Sequence, residues 1–167
     1  YCAARDVTEL CRAAAALADE RRGRASRGGI VFVRIPPAWV AEPDVSLEPL
    51  RWLLLFASPG RMALDAPFER LRPLLERRHE LDVGVTLQGF RRVGDARRAF
   101  DELARRFDDR IGTPLVSYGF LVDDLDVYRA IATGQPIGHR DPGTPACRAL
   151  RDVARLLYED ARSRVLG

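Results

Sequence analysis

The chain has 167 residues, 47% hydrophobic and 31% charged, with a formal net charge of +3. That balance describes a globular domain with a real core and excludes intrinsic disorder, and so small a net charge does not force wholesale nucleic-acid binding. All 27 basic side chains are arginine, which excludes a G-x-x-x-x-G-K-[ST] phosphate loop within these residues, because that loop needs a lysine.

Taken in chain order, residues 6–22 read as a helix. Asp6 or Thr8 can cap it, and Val7, Leu10, Cys11, Ala14 and Leu17 recur at helical spacing. Ile30-Val31-Phe32-Val33 reads as a short apolar strand after Gly28-Gly29, closed by Pro36-Pro37, which cannot donate to a ladder. Residues 38–50 read as irregular. Trp52 to Ala57 is a second buried strand, stopped by Ser58-Pro59-Gly60. Helical periodicity follows over 62–79 through Leu64, Phe68, Leu71 and Leu75, with Pro67 and Pro73 predicting a kink or a late start. A third strand is expected over Leu81–Leu87, a helix over Gly94–Arg110 and a fourth strand over Leu115–Leu121. Residues 124–132 read as a short helix, 134–143 as a Gly/Pro loop and 145–164 as a terminal amphipathic helix. Strands apolar on both faces, separated by helices, predict a single α/β domain: three layers, α-β-α, around a mostly parallel sheet with right-handed crossovers.

Cys2, Cys11 and Cys147 are odd in number and far apart, and His79 and His139 lie near none of them. Neither a disulfide framework nor a zinc site is expected, and a reducing cytoplasm is the simpler inference. No apolar run approaches 18 residues, and the first residues do not read as a signal peptide. The chain opens on Tyr1, which leaves room for a preceding segment.

Ligands of open parallel sheets collect at the carboxyl ends of the strands. Here those ends are Arg34-Ile35-Pro36-Pro37, Ser58-Pro59-Gly60, Gln88-Gly89-Phe90 and Val122-Asp123-Asp124. Asp123, Asp124 and Asp126 are either cap and first-turn acids of the following helix or part of a magnesium site. Ser46, Ser58 and Ser117 have no local hydrolase context.

The succession Gly119-Phe120-Leu121-Val122-Asp123-Asp124, Val127, Ala130, Gly134-Gln135-Pro136-Ile137 and Asp141-Pro142-Gly143-Thr144-Pro145-Ala146 resembles MinD/ParA-like ATPases, most closely their flagellar-number regulators. It is similar to that family's G-x-[IV]-P-x-D, V-x-x-A, G-x-P-[IV] and P-x-S-x-A motifs, in order. Ser58-Pro59-Gly60 with Leu64-Asp65-Ala66 resembles its T-P-E and T-D-A pair. The resemblance covers residues 30–157 and implies a Rossmann-like fold of the P-loop NTPase type. It also implies a nucleotide-pocket remnant at Gln88, Gly89, Val122 and Asp124, where Gln88 stands for an adenine-contacting Asn and Val122 for the Pro of P-x-D.

The departures bear on activity. Where the family has a switch acid followed by small residues and glycine, this chain has Arg34, Pro36 and Pro37. A cation cannot coordinate magnesium, and prolines offer no backbone N–H. The resemblance thus implies a degenerate, non-hydrolysing domain without a cofactor, acting through a protein partner or homodimer on a polar assembly such as a flagellum, secretion or polysaccharide system. Two alternatives stand beside it. One is the C-terminal part of an active ATPase, with ATP and magnesium held by a P-loop upstream of Tyr1. The other is an arginine-mediated binder of DNA or of an anionic membrane. For the membrane, the candidate is the terminal helix through Leu156, Leu157, Arg162 and Val165, peripheral to the inner membrane, with packing on the sheet as the competing expectation.

Overall fold

A computed structural model describes residues 6–22, 32–36, 52–59, 69, 71–140 and 142–166. Its elements are helix α1 (Val7–Arg22), strand β1 (Trp52–Ala57), strand β2 (Asp82–Phe90), helix α2 (Val93–Ile111), strand β3 (Leu115–Val122) and helices α3 (Leu125–Thr133), α4 (Ile137–Arg140) and α5 (Pro145–Leu166). Residues 71–77 are also helical. The described strands form one parallel sheet in the order β1-β2-β3. The fold is α/β.

Alternation along the strands divides the side chains between two faces. Val83, Val85 and Leu87 of β2 join Val7 and Cys11 of α1, Leu71, Leu74 and Leu75, and Ala96, Leu103 and Phe107 of α2 in one buried core. On the opposite face Tyr118 packs with Val153 and Leu157 of α5, edged by Trp52, Leu54 and Leu121. Helices therefore cover both faces, as strands without a polar side require.

Two bulges set which side chains reach which face. One extra residue enters β3 between Ser117 and Phe120, and one enters β2 between Gln88 and Phe90, so the register lost at the first is regained at the second. Gly119 and Gly89 carry the insertions at φ 91° and 74°, a conformation that Cβ-bearing residues rarely adopt. The first bulge sends Phe120 to the α2 face and Leu121 to the α5 face; the second turns Phe90 into the α2 core.

Several expectations need correction. Phe32 and Val33 lie in no strand, and Phe32 is 65% exposed; Ile30 and Val31 lie outside the described residues. With charged Arg34 and donorless Pro36 following so closely, the run has few ladder groups, and Ile35 is anchored by packing on the core instead. Leu17 is 45% exposed, and among the described side chains of α1 only Val7 and Cys11 are buried. Pro73 sits within the helical run 71–77 without ending it, while Leu64, Pro67 and Phe68 fall outside the described residues, as do 38–50. Helix α4 occupies part of the expected loop 134–143.

Candidate functional site

Ser58 just beyond β1, Gln88 and Gly89 near the end of β2, and Val122 with Asp123 and Asp124 at the end of β3 line one cleft of ≈ 360 Å³ at the carboxyl ends of the strands. Its walls are completed by Val127 and Tyr128 of α3, Ile137 of α4, and Ala146 and Leu150 of α5. Gln88, Gly89, Val122 and Asp124, separated by up to 36 positions in the chain, thus line a single concavity. It lies where a parallel sheet ordinarily holds its ligand.

Asp124 is the structural centre of this cleft. Its Oδ1 accepts from Asp126 N at 3.0 Å, capping α3, and its Oδ2 accepts from Ala146 N at 3.3 Å in the first turn of α5. One carboxylate therefore satisfies donors at two helix N-termini, where the backbone dipoles favour a negative charge. Thr144 completes the second cap by accepting from Cys147 N at 3.2 Å. The local sequence explains this: Asp124 precedes the apolar-periodic run of α3, and Thr144 precedes a proline suited to the first helical position.

The other polar groups are sparsely engaged. Gln88 Nε2 donates to Ser58 Oγ at 3.2 Å, bridging β1 and β2. Tyr128 Oη donates to Asp123 Oδ1 at 3.0 Å, which raises the phenol's pKa. The nearest cation to Asp123 is Arg91, whose Nε lies 3.9 Å from Oδ2 with its side chain 87% exposed. The lining contains, among the described residues, two acids and no basic residue. Among the described residues no group of three His, Cys, Asp or Glu side chains is placed to hold a metal ion. This lining offers the phosphates of a nucleotide no cation among the described residues, and both oxygens of Asp124 accept backbone hydrogen bonds.

Of the remaining sequence candidates, Arg34, Pro36, Leu156, Leu157 and Arg162 do not line the cleft. Arg34 and Pro36 are exposed in the irregular segment 32–36, and Pro37 lies outside the described residues. On α5, Leu157 is buried beneath the helix, Leu156 is 37% exposed and Arg162 is exposed; the Val165 side chain lies outside the described residues. The last turns of α5 are tied down through Arg164, in line with packing on the sheet. Arg164 Nε bonds Asp160 Oδ2 at 3.0 Å, its Nη1 contacts Asp82 at the start of β2, and its guanidinium lies 5.5 Å above the Trp52 ring. Among the described residues no helix is long and apolar enough to cross a membrane.

Sequence reasoning missed this second cluster. Tyr118 stacks edge-on to Trp52 at 5.4 Å and donates its hydroxyl to Asp160. The aromatic pair and the i, i+4 spacing of Asp160 and Arg164 were visible, but nothing local to either segment brings residues 52, 82, 118 and 160 together. The cluster lies at the amino ends of β1 and β2, opposite the cleft. Compared with known proteins, the sequence matches no family model and no curated protein.

Proposed function

We propose that this chain is a MinD/ParA-like domain, Rossmann-like and of the P-loop NTPase type, that does not hydrolyse ATP and acts by binding proteins. Its role would be to place or regulate a polar assembly such as a flagellum, a secretion system or a polysaccharide system. The supporting observation is the cleft itself. Its position and its Gln88, Gly89, Val122 and Asp124 lining suit the nucleotide end of such a domain, while its charge does not suit a triphosphate. Asp124, the residue aligned with the family acid, joins α3 to α5 through their backbone N–H groups. A scaffold whose acid holds helices together keeps its outer surfaces for partners after chemistry is lost.

Isothermal titration of the protein with ATP and magnesium tests the reading. The expected result is no saturable heat at micromolar nucleotide and no phosphate release. Micromolar binding with turnover would overturn it.

A further inference from the structure

The cleft continues onto an apolar rim that stays exposed among the described residues. Leu125, Tyr128 and Ile131 of α3 are 71%, 59% and 73% exposed, spaced three residues apart, and Leu150 borders the cleft from α5. Only Ala130 of this nine-residue helix is buried. Contiguous exposed apolar side chains beside a concave site mark an interaction surface.

The open polar atoms define what would fit. Gln88 uses its Nε2 on Ser58, which leaves its Oε1 as an acceptor. Asp123 Oδ2 has Arg91 only at 3.9 Å, beyond hydrogen-bond length. The cleft therefore offers acceptors and negative charge over an apolar floor. Among the described lining residues no cation is present to hold an anion, whereas a cation on an apolar stem would meet both the apolar floor and the acceptors.

We propose that the cleft and the α3 rim receive an apolar segment of a partner protein that carries an arginine or lysine. The cation enters toward Asp123 and Gln88, and its apolar neighbours cover Leu125, Tyr128 and Ile131. This rests on the protein-binding reading above and adds to it the partner's chemistry and the face it uses.

Selection of random peptides displayed on phage against the intact chain, followed by fluorescence anisotropy of those enriched, tests it. Enriched peptides should hold a basic residue flanked by large apolar ones, and changing that residue to Glu should weaken binding by about tenfold or more. Asp123→Asn and Ile131→Ser should each weaken binding by about tenfold. Both sites are exposed, and an unchanged urea midpoint would show that neither variant disturbs the fold. The proposal is overturned if no peptide is enriched, if binders lack a basic residue, or if both variants bind normally. A dimer of the chain alone that Ile131→Ser dissociates in sedimentation velocity would also overturn it, by making a second copy the occupant. Nucleotide turnover in the titration above defeats the parent reading, whereas peptides bound at another face defeat only this one.

Discussion

The two faces of the sheet are held by different chemistry. Toward α2 the core is apolar and continuous, with Val83, Val85, Leu75 and Phe107 fully buried. Toward α5 a small cluster around Tyr118 is fastened at one end by Asp160, Arg164, Asp82 and Trp52, and at the other it opens into the cleft. The first face gains stability from area removed from water, which is insensitive to small changes of geometry. The second depends on hydrogen bonds and ion pairs whose partners must stay in place. A sealed face and a fastened one leave the carboxyl ends of the strands accessible on the α5 side.

The contrast can be broken most directly at Phe107. Phe107→Ala should cost about 3–5 kcal/mol in urea unfolding, because a large ring leaves a cavity in a packed core. Gly84→Val should cost about 3 kcal/mol, since even a Cβ at Gly84 would overlap the Tyr118 ring. A cost under about 1 kcal/mol there would show that the α5 face yields more easily than a packed core does.

Tyr118→Phe should cost about 2 kcal/mol at neutral pH, because Asp160 loses a buried donor. Burial first, and the bond to Asp160 second, push the Tyr118 phenol well above its ordinary range. The native state therefore keeps this proton at pH values where the unfolded chain has released it. The contribution is whole below about pH 10 and declines as pH rises further. The wild-type protein should lose stability in that alkaline window, and Tyr118→Phe should flatten the decline in unfolding curves measured across it.

The smallest effect is expected on the outer surface of α2. Arg98 pairs with Asp95 at 2.5 Å with its side chain 80% exposed, and Arg98→Ala should change the unfolding free energy by less than about 0.5 kcal/mol. A larger effect would mean that this exposed ion pair is structural.

Local signals marked most of the elements. Trp52–Ala57 is an apolar run of strand length bounded by breakers, and α2 ends at Gly112 in the left-handed conformation, so both were legible within a residue or two. The strand ends that build the cleft were legible for the same reason: once the sheet is parallel, the carboxyl ends must share one edge. The absence of a strand at Phe32–Val33 was not legible, because pairing needs a partner that hydropathy alone does not reveal. Nor was the shift of Leu121 to the cleft side, which depends on a bulge at Gly119 set by the register between β2 and β3.

Sequence by itself determined the alternation of apolar strands and helices, a capping acid before α3 and the exclusion of a lysine phosphate loop within these residues, since each follows from residue type and near neighbours. Tertiary structure alone decided that Asp124 joins two helices, that Arg164 clasps the start of β2, and that a cleft lined by two acids sits beside an exposed apolar rim. Those outcomes depend on distances between segments far apart in the chain, and only the register of the sheet and the packing of α5 upon it set them.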